Sequence, residues 1–166
     1  MRKIILAILI IIFSIIPVHT DELNDKELYE SIKMSFHGKY SEVEINDLLS
    51  KGVWNKDKTA IVIIDISKTS TLIYVFLKQD NGSFSTFNIS FLEKLNFGKL
   101  GRKRGYYDKF ELQPIIHEKT KGFPLAVGIR TQAWKDGQRY TVVGKTVSLE
   151  KDGSMYIWPG EIISNY

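Results

Sequence analysis

The segment FPLAVGIRTQAWKDGQRYTVVGKTVSLEKDGSMYIW, residues 123–158, contains the tripeptide Lys-Asp-Gly twice, each time between runs rich in apolar residues. An Asp-Gly pair between such runs is a strong hairpin signal, because both residues tolerate the left-handed backbone of tight turns. The segment therefore predicts three consecutive antiparallel strands, with turns at residues 135–137 and 151–153.

Two registers are open for the first hairpin. A two-residue Asp-Gly loop pairs Trp134 with Arg139, whereas a three-residue Lys-Asp-Gly loop with its glycine in a bulge pairs Trp134 with Gln138. Since a slip of one residue moves a strand's apolar side chains to the opposite face, the apolar pattern can choose between them. It favours three-residue loops at both turns. The predicted pairs are Ile129–Val143, Leu125–Val147 and Phe123–Leu149 in the first hairpin, and Leu149–Met155 and Val147–Ile157 in the second.

This register gathers the apolar residues of all three strands on one face, which we expect to be core. Lys145 has the same parity, although a charged side chain does not fit a core position. The members of the predicted core face are Phe123, Leu125, Val127, Ile129, Val143, Val147, Leu149, Met155 and Ile157.

Two amphipathic helices are predicted before the strands. In residues 21–36, Leu28, Ile32 and Phe36 recur at the four-residue spacing of one helix face. Ser41 with Glu44 three residues later is a capping-box pattern, so a second helix is expected to run to residue 50. The side chains predicted to be buried on this second helix are Val43, Ile45, Leu48 and Leu49.

Strands are predicted at residues 59–66, 70–78, 84–89 and 106–116. The first two are apolar on both parities, which indicates central strands covered on both faces. Pro114 marks the last as an edge or bent strand, because proline cannot donate to a ladder. The predicted fold class is α+β, with two N-terminal helices followed by one curved antiparallel sheet of six to seven strands with hairpin connections. Residues 21–166 are predicted to form a single domain.

The N-terminus has the layout of a secretory signal peptide. Arg2 and Lys3 precede an almost unbroken apolar run over residues 4–16, and Pro17 ends it before an acidic start at Asp21. The run is shorter than the roughly 20 residues that a membrane-spanning helix needs. We expect residues 1–20 to be a cleaved signal peptide; the alternative is an uncleaved leader that anchors the chain to the membrane.

Composition narrows the location and the partner. The chain has 166 residues and no cysteine, and a disulfide-free exported domain fits a bacterial periplasm or secretion from a bacterium. The formal charge is +4, and removal of residues 1–20 takes away two basic residues, which leaves 21 basic against 19 acidic residues. Such a weak excess argues against nucleic acid as the main partner.

The sequence offers little support for catalysis, a metal or a cofactor. His37 and His117 are the only histidines after the leader, and they are far apart in sequence. No nucleophile elbow or phosphate-binding loop occurs in the sequence. A carboxylate site stays open as an alternative, because Asp65, Asp108 and Glu111 can meet in space, and Asp65 interrupts an apolar strand.

Two surfaces are candidates for partner binding. One is the basic loop 99–107 and the other is the outward parity of residues 123–158, where aromatic residues and arginine are typical of interfaces. Each also has a structural interpretation, in which the loop is simply solvated and the leading helices cover the aromatic face. The candidate partner-binding residues are Arg102, Lys103, Arg104, Tyr106 and Tyr107 in the loop, and Arg130, Trp134, Tyr140, Tyr156 and Trp158 on the face.

Three functions compete on these grounds. The first is an exported, non-catalytic domain that binds another protein, and in composition and layout the chain is similar to immunity and inhibitor proteins that act on secreted antibacterial effectors. The second is a carrier of a small apolar or envelope-derived ligand, in a cavity between helices and sheet lined by parts of residues 72–77 and 123–129. The third is a hydrolase with an unrecognised carboxylate site.

Overall fold

The computed structural model describes residues 19–36, 38–66, 70–100, 106–120, 123–160 and 162–165. Within these ranges the fold is α+β, as predicted, with three helices and two antiparallel sheets. The elements are α1 (His19–Ser35), α2 (Glu42–Lys51), β1 (Val53–Trp54), β2 (Ala60–Ile66), β3 (Thr71–Lys78), β4 (Phe84–Asn88), α3 (Phe91–Leu100), β5 (Lys109–Thr120), β6 (Phe123–Lys135), β7 (Gln138–Leu149), β8 (Met155–Ile157) and β9 (Ile162–Asn165).

The strands form two sheets where one was predicted. The four-stranded sheet has the order β1-β2-β3-β4; the five-stranded sheet has the order β5-β6-β7-β8, with β9 also paired to β7. The run of neighbouring strands breaks between β4 and β5, where α3 and the residues after it intervene. Because each sheet has an apolar face, the break lets the two sheets bury those faces against each other.

The described layers are helices, four-stranded sheet and five-stranded sheet, in that order. On one face of the four-stranded sheet, Ile61, Ile63 and Phe76 pack against α1 and α2. On its other face, alternate residues such as Val62 and Val75 pack against the five-stranded sheet. The prediction that β2 and β3 are central strands covered on both faces is therefore confirmed.

The two leading helices follow their local signals. Leu28, Ile32 and Phe36 of α1 are buried as predicted. The α2 capping box is present, since the Ser41 N–H donates to Glu44 Oε2 at 2.7 Å and the Glu44 N–H donates to Ser41 Oγ at 3.4 Å. The donors at Ser41 lower the pKa of the Glu44 carboxyl. Val43 is 78% exposed, so its predicted burial is wrong; it lies about 200° around the helix from the buried Ile45.

The register of the first hairpin differs from both registers considered above, the one with a two-residue loop and the one with a three-residue loop. Asp136 and Gly137 both have positive φ, 51° and 76°, and form a two-residue loop that pairs Trp134 with Arg139. A bulge follows, so that Ala133 pairs with Thr141. The predicted three-residue loop is therefore wrong, and the predicted pairs beyond the bulge are off by two residues, since Leu125 pairs with Leu149 and not with Val147. Because two residues preserve parity, the predicted sorting of β6 and β7 into faces holds.

The second hairpin and most of the core face agree with prediction. Leu149 pairs with Met155 and Val147 with Ile157, and Gly153 in the turn has a φ of 91°. Met155 and Ile157 are 43% and 42% exposed, so their predicted burial is wrong. They belong to a three-residue strand at the sheet margin, outside the buried clusters. The side chain of Phe123 lies outside the described part; the buried members are Leu125, Val127, Ile129, Val143, Val147 and Leu149.

Strand β5 lies at the edge of the five-stranded sheet, as Pro114 predicted. Pro114 pairs with Ile129, and the ladder with β6 continues on both sides of it. Proline has no backbone N–H, so this position fits the ladder only if its ring nitrogen faces away from β6.

Candidate binding groove

The outer face of the five-stranded sheet, on the side opposite the four-stranded sheet, is left open by the helices. Helices α1 and α2 pack on the four-stranded sheet, so the interpretation that they cover the aromatic face is wrong. Helix α3 packs on the inner side, where Asn96 Nδ2 donates to the Ile129 carbonyl at 2.8 Å and to Thr131 Oγ1 at 3.0 Å. Among the described residues, no helix of the chain forms a layer over the outer face.

Strand pairing arranges the outer face in rows across the sheet. Ile115 of β5, Gly128 of β6 and Thr146 of β7 form one row. The neighbouring rows contain His117 beside Ala126 and Arg130 beside Gly144. Ala126, Gly128 and Gly144 thus lie in three successive rows, and their small size leaves a depression in the face.

This depression is a groove with a volume of about 340 Å³. A Cβ atom built on Gly128 would come within 3.0 Å of Thr146 Oγ1, so even a methyl group crowds the floor. We call this feature the outer groove. Its lining residues are Ile115, His117, Ala126, Gly128, Ile129, Arg130, Gly144, Lys145, Thr146, Trp158 and Gly160.

Trp158 forms one wall of the outer groove and is held at two points. Its backbone N–H donates to the Thr146 carbonyl at 2.9 Å, and its indole Nε1–H donates to Ser148 Oγ at 2.6 Å. Ser148 is fully buried, because the indole covers it on the otherwise open face. Lys145 Nζ donates to the Pro159 carbonyl at 3.5 Å, which ties the following residues to the same wall. The wall is therefore fixed by the sheet itself.

The outer groove has a positive electrostatic character. Its lining contains the cationic residues Arg130 and Lys145, and none of its described residues is acidic. Arg130 is half-buried, and its guanidinium has no hydrogen-bond or ion-pair partner among the described residues. A guanidinium in this position presents a planar set of donors suited to a carboxylate or a phosphate.

Four of the predicted partner-binding residues lie together at the other end of the sheet, near the first hairpin. Tyr107 is buried against Ala133 and Val143, so it is a packing residue with little surface to offer a partner. Tyr140 is 43% exposed and its ring lies 6.0 Å from that of Tyr107. The ammonium of Lys135 lies 3.7 Å from the ring centroid of Tyr106, and that of Lys109 lies 5.1 Å from the ring of Trp134.

The remaining candidates divide between an exposed margin and an undescribed loop. Tyr156 is 52% exposed on β8, next to the exposed Met155 and Ile157. Arg102, Lys103 and Arg104 lie outside the described residues, as do residues 1–18 of the predicted signal peptide and His37. Arg130 and Trp158 are thus the two predicted residues that the fold brings into one groove.

The carboxylates considered for catalysis each have a structural partner. Asp65 accepts a hydrogen bond from the Tyr40 hydroxyl, and this bond together with burial raises the pKa of Tyr40 to about 12. Asp108 Oδ2 accepts the Asp136 N–H of the first hairpin at 2.5 Å, and Glu111 lies 3.9 Å from the ammonium of Lys109. Within the described part of the chain, no three His, Asp or Glu side chains converge in a way that could hold a metal ion.

Sequence reasoning missed the floor of the outer groove. Gly128 and Gly144 interrupt strands of high β-propensity, and a glycine inside a strand often marks a close approach to the backbone. That signal points to these positions. It does not say that Ile115 and Thr146 lie beside Gly128, because the register determines which residues are neighbours.

Comparison with known proteins gave no match to a family model, a curated protein or a solved structure.

In the described part of the chain, no helix combines the length and the apolar character needed to cross a membrane.

Proposed function

We propose that this chain is an exported, non-catalytic binding protein that engages a protein partner through the outer face of the five-stranded sheet. An immunity or inhibitor protein directed against a secreted effector is the most concrete form of this proposal. One observation carries it: no described helix covers the outer face, which presents exposed Tyr156 together with the outer groove, while exposed Tyr140 lies at the first hairpin beside Tyr107. Aromatic and arginine side chains on an open sheet face are typical of interface cores. The leader-like residues 1–20 support export.

Binding is better supported than catalysis by the partners of the acidic residues. Asp65 lies on the helix-facing side of the four-stranded sheet with Tyr40, whereas Asp108 supports a hairpin turn of the other sheet. A pair of carboxylates working as acid and base needs a common substrate position. These two lie on separate sheets, each with a structural hydrogen bond.

The carrier hypothesis places a cavity at residues 72–77 and 123–129. Ile73, Val75 and Val127, from these two stretches, are fully buried and belong to one packed cluster. These packed side chains fill the space between the two sheets, so this space is not available to a ligand. The open outer face therefore supports surface recognition over internal carriage.

The test starts with affinity capture from a periplasmic extract, and the captured protein is then purified and titrated. We expect Tyr140→Ala with Tyr156→Ala to weaken binding by about tenfold or more, the effect of losing interface hot spots. The matched control is Met34→Ala with Val43→Ala, which removes two exposed apolar side chains from the helices. The control should bind like the wild type. The proposal would be overturned if the helix variant weakened binding of the partner as much as the tyrosine variant does. It would also be overturned if the tyrosine variant bound the partner with unchanged affinity.

A further inference from the structure

We infer that the outer groove recognises an acidic side chain of the partner, presented on an extended segment next to an apolar residue. This inference deepens the proposed function and depends on it. It names the chemistry of the segment that enters the groove between Ile115, Arg130 and Trp158.

The charge of the groove selects an anion. Arg130 and Lys145 are the cationic residues of a lining in which no described residue is acidic, and the Arg130 guanidinium has no protein partner among the described residues. A guanidinium without a protein partner can accept a carboxylate in a bidentate arrangement of charge-assisted hydrogen bonds. Lys145 pairs with Ile129 and therefore has the inward parity, but its Nζ reaches the Pro159 carbonyl at 3.5 Å, so its charge lies at the margin of the groove beside Trp158.

The shape of the groove selects an extended segment. Its lining crosses from Ile115 on β5 to Trp158 after β8, which is three strand spacings or about 14 Å. An extended chain covers about 3.3 Å per residue, so roughly four residues fit along it. The glycine and alanine floor allows a backbone to approach closely, whereas a folded surface would not reach it.

The walls select an apolar neighbour for the acid. Trp158 and Ile115 are both half-buried and face each other across the row that contains Gly128. The indole is held by Ser148 and cannot swing away without loss of a hydrogen bond. An aliphatic or aromatic side chain placed between them removes apolar surface from water at about 25 cal/mol per Å². A bare inorganic anion gains nothing from these walls.

The test is selection from a phage-displayed library of random heptapeptides on the purified protein. We expect the enriched sequences to contain Asp or Glu next to Trp, Phe, Leu or Ile. A synthetic peptide of the enriched sequence should bind at least tenfold more weakly to Arg130→Gln, with Arg130→Lys in between. Arg139→Gln is the matched control, because Arg139 lies on β7 outside the lining, and it should bind the peptide like the wild type.

Several results would overturn the inference. They are the absence of an enriched sequence, a neutral or basic enriched sequence, equal binding by Arg130→Gln, and binding of inorganic phosphate as tight as that of the peptide. Lys145→Gln gives a second, independent variant and should weaken binding in the same direction. If the captured partner binds Arg130→Gln normally but loses affinity for the Tyr140 and Tyr156 variant, this inference fails while the proposed function stands. If neither variant affects the partner, both fail.

Discussion

The hydrogen bond between the Trp158 indole and Ser148 allows the rigidity of the groove wall to be measured. Trp158→Phe keeps an aromatic ring but removes the donor, and it leaves the fully buried Ser148 hydroxyl without this partner. A buried polar group that loses its partner costs about 1–3 kcal/mol. For a protein of this size, each kcal/mol lowers the melting temperature by about 2–4 °C. We therefore expect Trp158→Phe to melt several degrees below the wild type.

A double-mutant cycle separates the hydrogen bond from the loss of ring surface. Ser148→Ala alone removes the acceptor, and the double variant removes both groups together. The sum of the two single-variant losses in unfolding free energy should exceed the loss in the double variant by about 1 kcal/mol, which is the net contribution of one hydrogen bond. Urea unfolding followed by far-UV circular dichroism gives the free energies without relying on tryptophan emission. Trp134→Phe is the control for a half-buried tryptophan on the same face.

A coupling energy near zero would refute the reasoning about the wall. It would mean that the indole is not held by Ser148 in solution, and the groove would lose its fixed boundary. A coupling near 1 kcal/mol with normal melting of Trp134→Phe would agree with the geometry.

Three further predictions concern other parts of the fold. The pKa of Tyr40 is raised from 10.0 to about 12, so its protonated form stabilises the fold; this contribution is complete below pH 10 and is lost as the pH rises towards 12. Urea unfolding at stepped alkaline pH should show that loss, and Tyr40→Phe should reduce its slope; an unchanged slope would contradict the assignment. Asn96→Ala removes both hydrogen bonds from α3 to β6 and should cost about 1–3 kcal/mol in urea unfolding; a cost below about 0.5 kcal/mol would contradict the contact. Gly153→Ala places a side chain at a φ of 91° and should destabilise by about 1 kcal/mol, whereas Gly98→Ala in α3 has open space and should stabilise by up to about 1 kcal/mol. Equal effects of the two glycine variants would contradict the turn geometry.

Local signals in the sequence predicted α1 and α2 well, whereas α3 was not among the predicted helices. The spacing of Leu28, Ile32 and Phe36, and the capping pair Ser41 and Glu44, each involve residues within two helical turns. Such patterns report physical contacts between near neighbours, so they need no knowledge of the rest of the fold. The strand character of β2 and β3 and the burial of both their faces were predictable for a similar reason, because burial on both sides leaves both parities apolar.

The register of the long hairpin could not be predicted from the same signals. An alternating pattern reports parity alone. The observed two-residue loop and the bulge together shift the predicted pairs by two residues while keeping Leu125 and Leu149 on the same face. The split into two sheets was equally hidden, since each strand has the same pattern in one sheet or two. The candidate site was predictable only in part: Arg130 and Trp158 were identified, but Gly128, Ile115 and Thr146 become neighbours through the register.

Pro114 on the edge of the five-stranded sheet has a consequence for how this protein behaves at high concentration. A free strand edge invites a second chain to continue the ladder, which is a common route to aggregation. With its ring nitrogen facing outward, Pro114 removes a donor from the middle of the β5 edge, and an incoming strand cannot pair across it. Two copies therefore gain little by joining along β5. The outer groove, whose lining begins one residue further along that strand at Ile115, stays available to a different protein.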